Sequence, residues 1–227
     1  MNEERKQIPL LNSILIILHY ALGYNFLYPR LLVYLYRNGY IGDGYLVQIL
    51  IYVFMLVTTV LLAQDFIAYG IRKFMSDVSK NLMIVAKSIA RMFLLTIPVS
   101  VIIYFISGLS TSSNQSMVDT LKQENMLYLI FASVIFAPIV EEMVFRGSIY
   151  NPCKKHVGKL WAMIIASFLF GFLHVYDSLL SGNYADLIYI FLYGGLGFII
   201  NMAYENSDSI ICAILIHMLN NSLGLFL

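Results

Sequence analysis

Seven stretches of this chain are apolar over about 20 residues, the length an α-helix needs to cross the ~30 Å hydrocarbon core of a bilayer. They lie at roughly 8–28, 45–70, 88–108, 126–150, 159–177, 186–204 and 209–227, with ends good to about four residues. The stretch 31–36 is too short to span. Of 227 residues, 60% are hydrophobic and 12% charged, where a soluble domain carries roughly a quarter of charged residues. The chain reads as all-α: a polytopic transmembrane bundle of about seven spans, one membrane domain over 1–227 with its N-terminal spans in 1–110. Its obligatory partner is the lipid bilayer. A net charge of +1 provides no basic field for nucleic acid. The apolar run after "MNEERKQIPLL" is long and lacks a small-residue cleavage site, so it reads as an uncleaved first helix. Cys153 and Cys212 show no CxxC or Cys/His spacing and read as packing residues.

Lysine and arginine set the expected orientation. Arg72, Lys73, Lys80 and Lys87 lie between spans two and three, and Lys154, Lys155 and Lys159 between spans four and five. Both segments are expected on the cytoplasmic side, with the N-terminus. The loops left outside hold Lys122 alone (108–125) and no Lys or Arg (178–185), while Arg30 and Arg37 count against this orientation. Residues 73–87 have the makings of a basic amphipathic helix on the inner surface, or of a solvated connector. The stretch 108–125 reads as a polar loop.

Ionisable groups within spans are costly and tend to line a site or pathway. The fourth span holds Glu141, Glu142 and Arg146, the fifth His174, and the seventh His217 followed by Asn220 and Asn221. His19, mid-way along the first span with no patterned partner, reads as a hydrogen-bonded packing residue. At about 100° per residue, Glu142 and Arg146 stand about 40° apart and can pair, whereas Glu141 lies about 140° from Arg146 and faces elsewhere. This division leaves Glu141 for chemistry and Glu142 neutralised. Phe170 and His174 share one helix face by the same i, i+4 spacing, as do His217 and Asn221.

A purely structural reading is available: a buried ion pair fixing helix packing, plus two core histidines. Convergence of all these groups in the second half of the chain points instead to a proton or ion pathway or to an enzyme site. A relay has no special need of an amide one turn after a histidine. Amide hydrolysis does want such a set: a carboxylate to take a proton from water, a histidine to hold that water, and neutral donors for the developing oxyanion.

"EEMVFRG" (Glu141, Glu142, Arg146), "FGFLH" (Phe170, His174) and "HMLNN" (His217, Asn221) resemble the EExxxR, FxxxH and HxxxN motifs of the CAAX protease and bacteriocin-processing family. These are the Abi or CPBP intramembrane proteases related to the Rce1 prenyl-protein endopeptidases. The resemblance covers 126–227 and implies a four-helix catalytic core there. It implies an intramembrane endopeptidase in which Glu141 activates water, His174 helps hold it, and His217 with Asn221 forms the oxyanion hole, supported by Glu142, Arg146 and Phe170. The implied substrate is a membrane-associated peptide or protein: a prenylated CAAX protein, a bacteriocin or signalling-peptide precursor, or a leader peptide.

Members of this family are often labelled metalloproteases, and Glu141, His174 and His217 would supply the count for a zinc site. No helical HExxH is present, and a zinc site gives Asn221 no role, so no cofactor is expected, with zinc the alternative. Span positions raise a difficulty: Glu141 and His174 come out about 14 Å apart in depth at about 1.5 Å per residue. A non-catalytic membrane protein of the same fold, acting in bacteriocin immunity or as a scaffold, is the competing function. A transporter is disfavoured by the lack of repeats. Gly194, Gly195 and Gly197 read as close helix packing, and the many Tyr and Phe residues as interfacial aromatics.

Overall fold

The computed structural model describes residues 6–226, which form nine helical runs. These are α1 (Leu10–Arg37), α2 (Gly44–Leu62), α3 (Gln64–Ser76), α4 (Val78–Ser107), α5 (Ser113–Glu124), α6 (Met126–Val157), α7 (Lys159–Leu180), α8 (Tyr184–Ser207) and α9 (Ile210–Phe226). All but α3, α5 and α9 are long and apolar enough to cross a membrane, and α9 is a shorter apolar helix. The expected all-α bundle of about seven spans is what forms. Residues 1–5, whose cytoplasmic placement was an expectation from charge, lie outside the described residues.

Several boundaries differ from the sequence expectation. The second span does not reach residue 70: the chain breaks at Ala63 (φ −108°, ψ 10°), and α3 buries Phe66, Tyr69 and Gly70. The short apolar stretch 31–36 is the continuation of α1. The basic stretch 73–87 is neither one surface helix nor a loop, being divided between α3 and the start of α4, where the Asp77 side chain caps Lys80 N at 3.0 Å. The polar loop 108–125 is largely α5, which begins where Ser112 Oγ accepts from Gln115 N at 3.1 Å.

Prolines shape the long helices. Pro29, Pro138 and Pro152 each follow directly on a wide π-type segment: His19–Leu27, Phe131–Phe136 and Met143–Tyr150. A proline lacks the N–H of the helical ladder and its ring meets the carbonyl four residues earlier. In all three cases that carbonyl, on Asn25, Val134 or Ser148, lies inside the wide segment, where the extra room relieves the clash. Pro98 in α4 has no such segment. The consequence for α6 is that Ala137–Glu142, six residues carrying both glutamates, stands between two wide turns.

One end of the bundle gathers residues from 8–12, 62–76, 147–159 and 204–210. Asn12 Nδ2 donates to Leu62 O at 2.8 Å, Ser209 Oγ donates to Gly70 O at 2.7 Å, and Lys154 pairs with Glu205 at 2.7 Å and Lys73 with Asp208 at 3.7 Å. Two basic segments expected on one face of the membrane therefore do share an end. At the other end Ser113 N donates to Asp186 Oδ1 at 2.9 Å and Ser112 Oγ bonds Tyr193 Oη at 2.6 Å.

Two devices lock the C-terminal helices. Gly171 of α7 lies so close to α8 that a Cβ there would stand 2.7 Å from Gly194 N and Ile190 O, the close backbone approach expected of small residues in membrane helices. The second is Arg146, fully buried: Nη1 donates to Glu142 at 3.0 Å, Nη2 to the Gly197 carbonyl of α8 at 2.8 Å, and its guanidinium lies 5.3 Å from the Phe170 ring of α7. Glu142 in turn accepts from His217 Nδ1 of α9 at 2.9 Å.

Gly171→Ala is expected to destabilise the bundle by about 1–3 kcal/mol, because backbone cannot yield as a flexible side chain can. Gly224→Ala, with nothing within 4 Å, should change unfolding in denaturing detergent little. Arg146→Met strands the Glu142 carboxylate and should cost about 3–5 kcal/mol in the same unfolding measurement.

Candidate active site

A cavity of about 950 Å³ opens between the helices, reached from the end that carries α5, and Glu141, Phe170, His174, His217, Asn220 and Asn221 line it. All four expected catalytic side chains thus border one space. The depth conflict vanishes because α6 runs to Val157 instead of ending near 150. Glu141 lies sixteen residues before that end, and His174 fifteen residues after Lys159 starts the antiparallel α7. At about 1.5 Å per residue the two come to within about 2 Å of one level.

The two glutamates divide their work. Glu142 is fully buried outside the cavity wall, its Oε1 shared by Arg146 and by His217 Nδ1. Glu141 is 7% exposed and lines the cavity. Its Oε1 accepts from Tyr20 Oη at 2.8 Å. Its Oε2 has no hydrogen-bond partner among the described residues and faces His217 Nε2 at 3.9 Å. A carboxylate with one oxygen held and the other left without a hydrogen-bond partner can accept a proton on the second.

The histidines are oriented through their Nδ1 atoms, whose neighbours are acceptors and so require a hydrogen there. His174 Nδ1 lies 2.9 Å from Phe170 O, one turn back on α7, and its ring stacks on Tyr193 at 4.6 Å between centroids. His217 is turned by Glu142, so that its Nε2 is the nitrogen presented to Glu141. Phe170 lies between the two imidazoles, 4.6 Å from His174 and 5.5 Å from His217. Asn221 donates one amide hydrogen to Ser133 O at 2.8 Å, which leaves its second Nδ2 hydrogen.

Side chains that the sequence reading passed over complete the site. Tyr20 and Tyr24 of α1 stack at 5.3 Å, and Tyr24 leads on to Tyr52 and Phe136, themselves stacked at 4.2 Å. Tyr52 Oη lies 3.0 Å from Tyr128 Oη. These rings form a wall, not an interfacial belt as the composition suggested. Their signal was present in the sequence: Tyr20, Tyr24 and Tyr28 recur every fourth residue and so share one face of α1. His19, on the neighbouring face, packs against Tyr28 and Phe54 as expected, and both cysteines are free thiols.

Among the described residues no three His, Cys, Asp or Glu side chains converge closely enough to hold a metal ion. The Glu141, His174 and His217 set does not fit zinc in this geometry.

Comparison with known proteins extends the motif resemblance. Residues 123–223 match the family described as Type II CAAX prenyl endopeptidase Rce1-like. YdiL of Bacillus subtilis (strain 168), provisionally named a membrane peptidase, is 26% identical over 121 residues, 52% of this chain and 45% of that protein. MroQ of Staphylococcus aureus (strain USA300), named a membrane-embedded CAAX protease, is 28% identical over 120 residues, 50% of this chain and 44% of that protein. The chain spans less than half the length of these curated relatives. No solved structure matches it with significance. The three motifs fall inside the segment of this multi-pass membrane protein that is similar to the Rce1-like CAAX protease family, in three helices that meet at one cavity.

Proposed function

We propose that the protein is an intramembrane endopeptidase that hydrolyses a peptide bond of a membrane-associated peptide or protein precursor with water activated by Glu141. The observation that carries this reading is the Glu141 carboxylate at the cavity wall: buried, clamped on Oε1 by Tyr20, with Oε2 left without a hydrogen-bond partner among the described residues and facing His217. The match to a family of peptidases supports it independently.

In this mechanism a water bound between Glu141 and His174 attacks the carbonyl carbon of the scissile bond and gives its proton to Glu141 Oε2. With Nδ1 engaged by Phe170 O, His174 Nε2 is the acceptor that holds the water's other hydrogen. The tetrahedral oxyanion is met by the remaining Asn221 Nδ2 hydrogen and by His217 Nε2, which must carry a hydrogen to donate. Collapse breaks the C–N bond, and the departing amine takes the proton back from Glu141. Glu142 and Arg146 fix the His217 ring, and Phe170 spaces the imidazoles. Metal-free chemistry is part of the proposal, as is the orientation that puts the end bearing Lys73, Lys154 and Lys159 in the cytoplasm and the cavity mouth on the opposite face.

The test is cleavage of a pooled set of membrane-anchored peptides by the purified protein in lipid nanodiscs. Glu141→Gln and His217→Ala should abolish turnover, and Asn221→Ala should lower kcat by about 10²–10³-fold, the usual loss of one oxyanion donor. Tyr20→Phe should lower kcat at least tenfold with KM nearly unchanged, since the hydroxyl touches the base and not the substrate. Activity should survive a metal chelator. Loss on chelation that zinc restores would replace the glutamate mechanism, and full turnover by Glu141→Gln would end it.

A further inference from the structure

Two aromatic rings contact the His174 imidazole, and they are held by different parts of the protein. Phe170, 4.6 Å away between centroids, is buried and fixed by Arg146 at 5.3 Å and by Phe145 at 5.2 Å. Gly197 comes so near that a Cβ there would stand 3.0 Å from Phe170 Cδ1. Tyr193 of α8 stacks on the imidazole at 4.6 Å with 23° between the planes. It is only half-buried and lines the cavity. Its hydroxyl leads out to the mouth, where it bonds Ser112 Oγ at 2.6 Å and accepts from Asn114 Nδ2 at 3.3 Å.

Ser112 and Asn114 form the start of α5, whose Gln115, Val118 and Leu121 border the same cavity. Ser112 Oγ caps that helix by accepting from Gln115 N at 3.1 Å. A second tie runs beside the first: Ser113 N donates to Asp186 Oδ1 at 2.9 Å, and Asp186 Oδ2 accepts from Ser178 Oγ at 2.6 Å. Ser178 lies one turn beyond His174 on α7, so two routes join the start of α5 to the stretch of α7 that carries the histidine. At its far end Lys122 donates to Leu225 O of α9, and Glu124 accepts from Tyr45 Oη of α2 at 2.7 Å. The helix is a strap across the mouth, fastened at both ends.

A histidine ring turns on a torsion with broad wells. The bond from Nδ1 to Phe170 O, 2.9 Å long, holds one point of the ring and leaves its plane to be set by what packs on it. We infer that Tyr193 is a positioning residue for His174 and that Ser112 and Asn114 hold Tyr193 in place, which makes α5 part of the active site as well as its cover. A shift at the start of α5 then turns the plane of His174. This rests on the protease reading for the water that His174 holds, but not for the hold on the ring.

That hold can be read without substrate. The chain has four histidines, so isotope-labelled histidine in the full protein in lipid nanodiscs gives few imidazole signals by magnetic resonance. Those of His174 are assigned by their loss in His174→Gln. Tyr193→Phe keeps the ring and removes both bonds; the His174 signals should broaden or split, and Ser112→Ala should have the same effect. Ser112→Thr, which keeps the hydroxyl, should restore the wild-type signals. With a cleavable peptide, Tyr193→Phe and Ser112→Ala should each lower kcat about tenfold at nearly unchanged KM. The double variant should lose no more than either single one, because both break one link. Wild-type His174 signals in Tyr193→Phe would overturn the inference, as would a raised KM with kcat unchanged, which would make Tyr193 a substrate contact. Should the signals respond while the wild type cleaves no peptide, the protease reading fails and the hold on His174 stands. Should Glu141→Gln abolish turnover while Tyr193→Phe works at full rate, the protease stands and this inference falls.

Discussion

Arg146 is the joint on which the C-terminal half turns. A guanidinium at this depth needs its charge and donors met by protein, and the groups that meet its Nη atoms and its face come from three helices. Glu142 lies one turn back on α6, Gly197 offers its carbonyl from α8, Phe170 its face from α7, and Glu142 passes the contact on to His217 of α9. A single ion pair therefore sets the spacing of four helices. It also fixes which nitrogen His217 presents to Glu141, so stability and chemistry share the same atoms.

Much of this was legible in the sequence, and the reasons are physical. Spacing of four residues forced Glu142 toward Arg146 and Glu141 away from it, and the hydrogen bonds follow that division. Apolar length located the spans because nothing but lipid asks for such runs. Helix ends were less legible. Residues 147–157 carry Gly147, Asn151, Pro152 and two lysines, a composition that looks like a loop. They remain helical because Ser148, Tyr150 and Asn151 are buried against neighbours, with Asn151 bonded to Tyr204 at 2.9 Å. Hydropathy cannot see a tertiary partner, and the apparent separation of Glu141 from His174 was the result.

The prolines explain a second blind spot. A proline inside an apolar run is usually taken as a helix end or kink, yet α1 and α6 pass through theirs by widening the preceding turns. In α6 the widened turns lie on both sides of Ala137–Glu142. Widened turns shift the angular register of whatever follows, so the faces drawn from a uniform 100° step hold locally but not along the whole helix. Within the one turn between Glu142 and Arg146 the local rule suffices, which is why the ion pair could be read and the longer alignments could not.

The first two spans are more than a membrane anchor. The family match covers 123–223, and that segment by itself leaves Glu141 without Tyr20, its one hydrogen-bond donor among the described residues, and leaves the cavity without the wall that Tyr24, Tyr28, Tyr45 and Tyr52 provide. A carboxylate with both oxygens free rotates about its last torsion; one held by a buried phenol offers a single oxygen in a single direction. Orientation of that kind is the larger part of what a rigid site contributes to a proton transfer. The three sequence motifs and the α1 tyrosines are thus parts of one device, although only the motifs announce themselves by their chemistry. The spacing of the tyrosines puts them on one face of α1, and the packing of α1 against α6 decides what that face meets.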